Sequence, residues 1–202
     1  MFRRAVLLVA VVGAVLGPAV FVGGAAEPIL KLALQRADVP APAIKPTFTY
    51  PELTDPLTLR PFGAHEAAHY YYSWSVGTLN TPIGLVHKEW VLEGDVFRAA
   101  DESAAKRLFA LGKAAKIGFF SADNFPGELK NLNLPAYGDE QIGGVSTHQA
   151  TGLGVMVFVR KGTVVWQLRV AAIPLQFQPT EAEMVAVLQM YAAKQKARVT
   201  AG

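Results

Sequence analysis

The hydrophobic pattern is most regular over residues 154–172, where two apolar runs flank the pair Lys161-Gly162. Glycine accepts a positive φ, so this pair suits the turn of a β-hairpin. With these two residues as the turn, Arg160 faces Thr163. Three cross-strand pairs then share one face: Val159 with Val164, Val157 with Trp166, and Val155 with Leu168. The pattern therefore predicts a hairpin with one face on a core.

Other parts of the chain carry weaker versions of the same signals. Residues 70–76 alternate as a strand does, residues 83–99 form one long strand or two short ones, and residues 141–147 form a third region of strand. Asp101 can cap a helix over residues 102–116, and Thr180 with Glu183 makes a capping box for a second helix. The predicted order is β-β-α-β-β-β-α. An antiparallel sheet with two packed helices is an α+β fold.

The amino terminus is apolar enough to interact with a membrane. Arg3 and Arg4 precede an uncharged run over residues 5–26, and such a helix measures about 33 Å, which is enough to cross a bilayer core. A cleaved signal peptide and a retained signal anchor both fit residues 1–26. The basic head favours the cytoplasmic side. The rest of the chain is therefore expected outside the cytoplasm, in the periplasm or at the cell surface.

Residues 27–63 are predicted to be an amphipathic turn followed by an extended arm. Residues 27–39 suit the membrane surface or a continuation of the anchor helix. Residues 40–61 contain six prolines, which exclude long helices and central strands. The arm also carries apolar side chains suited to docking on a protein partner: Phe48, Tyr50, Leu53, Leu57 and Leu59. Residues 64–200 are expected to form the folded domain.

Composition removes several classes of function. The chain of 202 residues has no cysteine, which excludes disulfides, thiol catalysis and thiolate metal sites. Its 19 basic and 16 acidic residues are in mixed order and give a net charge of +3, which is too weak and too scattered to argue for nucleic acid as a partner. No catalytic or cofactor-binding residue is predicted apart from the motif described next. The aromatic residues at 70–74 fit either core packing or a binding platform.

One short motif suggests catalysis. His65-Glu66-Ala67-Ala68-His69 reads H-E-x-x-H, in which two histidines on a helix bind zinc and the glutamate activates water. Glu89 stands where a third ligand is expected. The surrounding sequence favours a strand instead, and on a strand the two histidines lie roughly 13 Å apart, too far for one metal ion. No metal site is therefore predicted, and a zinc peptidase remains an alternative.

A weak family resemblance covers roughly residues 86–198. It rests on the segment Leu134-Pro135-Ala136-Tyr137-Gly138-Asp139-Glu140, the Val-rich strands around Arg160-Lys161-Gly162, and the capped C-terminal helix. This arrangement resembles exported bacterial sensor-type domains and the related PsbP-like α+β fold. The resemblance implies a binding or accessory module and supplies no catalytic residues.

Three functional hypotheses follow from the sequence. The leading one is a non-catalytic, membrane-anchored extracytoplasmic domain that serves as an accessory or structural subunit of a membrane-protein complex. The second is a sensor-type domain that holds a small apolar ligand in a cavity bordered by Trp166, Leu168 and Met184. The third is the zinc peptidase, which requires a helix at residues 65–69.

Overall fold

The computed structural model describes residues 27–40, 52–53, 63–114, 130–148, 152–173 and 176–201. The described helices are α1 (Glu27–Leu32), α2 (Glu102–Ala114) and α3 (Glu181–Ala201), with a 3-10 turn at Arg36–Asp38. The described strands are β1 (Glu52–Leu53), β2 (Ala64–Thr81), β3 (Gly84–Ala99), β4 (Lys130–Asn131), β5 (Glu140–His148), β6 (Gly152–Lys161) and β7 (Val164–Ile173).

The strands form one antiparallel sheet in the order β1-β2-β3-β7-β6-β5-β4. Five of them are long, and the strands at the two edges, β1 and β4, have two residues each. The long strands, α2 and α3 follow the predicted order β-β-α-β-β-β-α, so the α+β class is confirmed. The structure adds α1 and the two short edge strands.

The predicted register of the β6–β7 hairpin is wrong by two residues. Lys161 pairs with Val164, so the turn is Gly162-Thr163, and Val159 lies opposite Trp166. Gly162 has a φ of +56° at the first turn position, where two-residue hairpin turns require a positive φ. A shift of two residues keeps every side chain on its predicted face, because faces alternate with a period of two.

Both faces of the sheet are buried, whereas the sequence predicted a core on one face only. On one face α3 covers a large apolar cluster that includes Trp166, Leu168 and Tyr191. On the other face α2 covers a smaller cluster in which the rings of Phe109 and Phe158 stack with centroids 5.1 Å apart. The mixed face of the predicted hairpin is therefore also an interior face.

Residues 27–39 belong to the folded domain and do not form a surface turn. Ile29, Leu32 and Leu34 are fully or almost fully buried in the cluster under α3. The predicted boundary at residue 64 is thus wrong, and the domain packs three described helices instead of two. The apolar spacing that suggested a membrane-surface helix instead matches the groove between β2 and α3.

The predicted helix caps are confirmed. The backbone N–H of Ala104 donates to Asp101 Oδ1 at 2.7 Å. At α3 the backbone N–H of Thr180 donates to Glu183 Oε2 at 2.7 Å, and the backbone N–H of Glu183 donates to Thr180 Oγ1 at 3.2 Å. The hydrogen bonds from Thr180 lower the pKa of Glu183. These contacts satisfy N–H groups that have no partner within the helix.

None of the helices among the described residues is long and apolar enough to cross a bilayer. The predicted signal anchor or signal peptide, residues 1–26, lies outside the described residues.

Asp139 holds the β6–β7 turn in place. Its carboxylate accepts hydrogen bonds from the backbone N–H of Gly162 at 2.8 Å, from Lys161 Nζ at 2.8 Å and from Arg160 Nη1 at 3.3 Å. The Gly162 N–H, followed by Lys161, lowers the pKa of Asp139. The segment before β5 is thereby fastened to the hairpin turn.

We expect Asp139→Asn to destabilise the domain by about 1 kcal/mol at neutral pH. A lowered folded-state pKa stabilises the fold above the unfolded-state pKa of about 3.9, and this stabilisation disappears as pH falls through the folded-state value. The two proteins should therefore approach equal stability in strong acid. Urea unfolding from pH 7 to pH 2 measures this, and a constant difference down to pH 2 would exclude the charge as the cause.

Candidate functional site

The β2–β3 hairpin extends past the rest of the sheet. Strand β7 pairs with β3 from Arg98 to Glu89, whereas β2 and β3 continue to pair as far as Thr81 and Gly84. Residues 76–88 therefore form a projecting ribbon, here called the hairpin arm. A register irregularity between Ser75 and Gly77 marks its base.

The hairpin arm carries the large apolar side chains that are most exposed in the described chain. Ile83 at the turn is 92% exposed, Leu85 is 74% exposed and Val76 is 46% exposed. No aspartate, glutamate, lysine or arginine occurs over residues 70–87. Edge strands that must avoid other chains usually carry several charges, whereas the arm carries only Lys88, at its base. An apolar tip on such a ribbon is typical of a contact surface.

A cleft of about 480 Å³ lies at the base of the arm, on the face that α3 covers. Its lining includes Val76, Leu79, Trp90, Phe177 and Glu183. The Trp90 and Phe177 rings meet edge to face with centroids 5.6 Å apart, and Lys88 Nζ lies 5.7 Å from the centre of the Phe177 ring. The cleft is large enough to receive side chains from a partner, and its lining also includes Gln176 and Gln178.

The hairpin arm and the start of the domain lie at opposite ends of the sheet. Leu32, at the end of α1, borders a second cleft together with Gly162, Thr163 and Val199. The β6–β7 turn therefore marks the end at which the chain enters the domain, here called the entry pole. From Arg98 at this pole to Gly84 at the arm, β3 covers roughly 46 Å at about 3.3 Å per residue.

The H-E-x-x-H motif lies on a strand and not on the helix that the zinc peptidase alternative requires. Residues 65–69 belong to β2, and the register is irregular between Ala64 and Glu66. Glu66 binds Arg98 Nη1 at 2.8 Å, while Glu89 lies on β3 opposite Ser75. Within the described part of the chain, no group of three potential metal ligands comes together.

One histidine of the motif has a structural partner. His69 Nδ1 lies 2.9 Å from Oδ1 of Asp95, whose other oxygen accepts a hydrogen bond from Gln167 Nε2. Asp95 is only 1% exposed, and a buried carboxylate requires such partners. His69 and Gln167 therefore supply the hydrogen-bond partners of buried Asp95 in β3, which is a structural role.

The tyrosines of β2 also serve the fold. Tyr70, Tyr72 and Trp74 lie in the core under α3, which decides for core packing over a binding platform. Burial raises the pKa of Tyr72 to about 12, and burial followed by the Asp95 charge raises the pKa of Tyr70 well above its usual value. Both hydroxyls therefore stay protonated at neutral pH. The Tyr72 hydroxyl donates to the carbonyl of Leu34, and the Tyr70 hydroxyl donates to Gln195 Oε1.

The predicted ligand cavity under α3 is filled. Trp166, Leu168 and Met184 have no exposed surface. A void wide enough for water would expose part of the side chains that line it, so no such void adjoins these three. This observation removes the basis for the apolar-ligand hypothesis at that place.

The docking residues predicted in the Pro-rich segment before β2 lie mostly outside the described residues. Leu53 is described at backbone level, in β1, where it pairs with Ala68 of β2. Phe48, Tyr50, Leu57 and Leu59 are not described. Pairing by Glu52 and Leu53 extends the sheet at its edge.

The chain has only low similarity to known proteins. No protein-family model and no curated protein matches the chain. The extracellular domain of PknH from Mycobacterium tuberculosis is 10% identical with a TM-score of 0.46, covering 85% of this chain and 97% of that one. CalU16 from Micromonospora echinospora is 9% identical with a TM-score of 0.26, covering 63% and 81%. Neither TM-score reaches a level that supports an argument about function.

The sequence analysis missed the hairpin arm, although a signal for it is visible. Pro82-Ile83-Gly84 interrupts an otherwise continuous uncharged strand pattern, and an apolar residue between two turn formers is unusual at a solvent-exposed turn. The predicted strands cover residues 70–76 and 83–99, which leaves residues 77–82 of the ribbon unassigned.

We expect the two histidines of the motif to respond differently to mutation. His69→Ala removes a partner of buried Asp95 and should destabilise the domain by about 1–3 kcal/mol. His65→Ala, at an exposed position of the same motif, should change stability by less than about 0.5 kcal/mol. Chemical unfolding of both variants, with and without added zinc, measures this. The zinc model would be restored if both variants lost the same stability and if added zinc stabilised the unmutated chain but neither variant.

Proposed function

We propose that this chain is a non-catalytic, membrane-anchored extracytoplasmic domain that contacts a membrane-protein complex as an accessory subunit. The observation that carries the proposal is the hairpin arm, whose apolar residues Ile83 and Leu85 are largely exposed to solvent. Burying an exposed leucine or isoleucine at an interface contributes roughly 1.5–3 kcal/mol, which makes the arm a favourable contact point.

The anchor is proposed from the sequence. Residues 5–26 are uncharged and follow Arg3 and Arg4, the arrangement of a segment whose amino terminus stays in the cytoplasm. This segment ends directly before α1, so the anchor would join the domain at its entry pole without a long linker.

This geometry separates the two functional ends of the molecule. With the anchor at the entry pole, the hairpin arm points away from the bilayer and its tip stands roughly 46 Å from that pole. The contact partner is therefore a protein that extends beyond the membrane surface, and the arm is not directed at the lipid of the anchor.

The anchor is tested by washing native membranes at alkaline pH. The full chain should stay in the membrane fraction, because a spanning helix resists such washing while peripheral contacts do not. Protease added outside the cytoplasm should degrade the domain. Complete release of the intact chain by the wash would contradict the anchored form.

The contact is tested by placing charges on the tip. We expect Ile83→Asp combined with Leu85→Asp to release the chain from a larger complex, because an unpaired carboxylate is costly to bury. Native gel electrophoresis after mild detergent extraction measures the size of the complex. Thermal stability should stay unchanged, since both side chains are exposed.

Met190→Asp is the matched control, because Met190 is an exposed apolar residue on α3, 45% exposed. This variant should keep the size of the unmutated complex. A tip variant that migrates like the Met190 variant would show that the hairpin arm is not the contact surface.

A further inference from the structure

Positive charge is concentrated where the chain enters the domain. The segment 27–40 and the last eleven residues of α3 together hold five basic residues and two acidic ones. The basic residues are Lys31, Arg36, Lys194, Lys196 and Arg198, here called the basic patch. The remainder of residues 27–202 holds twelve basic and fourteen acidic residues, so the excess positive charge of the domain is local.

Most of this charge is oriented by hydrogen bonds that do not cancel it. Lys196 Nζ donates to the carbonyl of Ala136 at 3.0 Å, Lys194 Nζ donates to the carbonyl of Asp38, and Arg36 Nη1 donates to the carbonyl of Pro40 at 2.9 Å. A carbonyl is a dipole and leaves the net charge in place.

Arg198, by contrast, has a carboxylate partner. Its Nε donates to Asp38 Oδ2 at 2.6 Å. Lys194 and Lys196 are exposed on the two flanks of α3, on either side of buried Gln195, so their charges face solvent. An anion at this surface would meet cations that are already held in position.

The patch adjoins the proposed membrane anchor. Arg198 Nη1 donates to the carbonyl of Lys31 at 3.3 Å, which places the end of α3 beside α1. The apolar segment of the chain ends at residue 26, one residue before α1 begins. A bilayer that holds this segment is therefore the nearest large surface to the patch.

We propose that the basic patch binds the anionic phospholipid headgroups of the membrane in which the chain is anchored. This inference rests on the proposed function, because the anchor supplies the proximity. Basic residues next to a span are attracted to anionic lipid. The patch thereby orients the domain with its entry pole on the lipid and the hairpin arm pointing outward.

The test uses the full chain in lipid nanodiscs with acceptor dye on the lipid headgroups. The chain has no cysteine, so Thr200→Cys near the patch or Ile83→Cys at the tip provides a single site for a donor dye. In an equal mixture of phosphatidylcholine and phosphatidylglycerol, energy transfer should be high from position 200 and low from position 83. Added salt, or phosphatidylcholine alone, should reduce transfer from position 200, because screening weakens the attraction.

Charge reversal identifies the residues involved. Lys194→Glu with Lys196→Glu should abolish the dependence on phosphatidylglycerol. The matched control is Lys106→Glu with Lys113→Glu, which reverses the same number of exposed charges on α2, across the sheet. The control should behave like the unmutated patch. The proposal would be overturned if the efficiency of energy transfer from position 200 were the same with and without phosphatidylglycerol, at low and high salt, and in the Lys194/Lys196 variant.

The anchor and the patch can fail separately. A chain that stays in the nanodisc but shows its tip closer to the lipid than position 200 contradicts the patch alone. A chain that leaves the nanodisc contradicts the anchor, and flotation with phosphatidylglycerol vesicles then tests the patch. Failure to float in low salt would overturn the lipid assignment as well.

Discussion

Gln195 is a fully buried amide on α3, and the arrangement of the domain depends on its two contacts. Its Oε1 accepts a hydrogen bond from the Tyr70 hydroxyl of β2 at 3.1 Å, and its Nε2 donates to the carbonyl of Leu32 at 2.5 Å. Burying an amide without partners costs roughly 2–7 kcal/mol, so the side chain is tolerated only where both elements reach it. This bridge fixes the end of α1 against the C-terminal half of α3. The positions of the entry pole and of the basic patch both follow from it.

Local patterns in the sequence specify faces and helix ends well. Val159 and Trp166 share the predicted face although their pairing was misjudged, because the face depends only on alternation while the pairing depends on which residues make the turn. Asp101 and Thr180 cap their helices as predicted because a cap is a contact between neighbours in the chain. The conformation of the H-E-x-x-H motif was also predicted from a local pattern, because the aromatic alternation after His69 indicated a strand and residues 65–69 lie in β2.

Long-range placement could not be derived in this way. Leu32 and Leu34 pack in the apolar cluster under α3, and their backbone carbonyls are satisfied there by Gln195 and Tyr72. No local pattern encodes a contact between residues more than thirty positions apart. The spacing of apolar residues in this segment fits a membrane surface as well as a protein groove. The second core behind Phe158 was missed because polar neighbours such as Gln167 and Arg160 made that face read as solvated, whereas their hydrogen bonds to acidic side chains allow burial.

The hairpin arm and the basic patch are related through the sheet. An isolated two-stranded ribbon is marginally stable in water, but the arm continues strands that are paired across five long strands and buried on both faces. Strand β3 is hydrogen-bonded without interruption from the entry pole to the arm, so it fixes the position of the tip relative to the pole. Attraction of the patch to lipid would then fix not only the height of Ile83 above the membrane but also its direction. An apolar tip held at a defined height and direction loses less orientational freedom on meeting a partner, so less of its contact energy is spent on ordering.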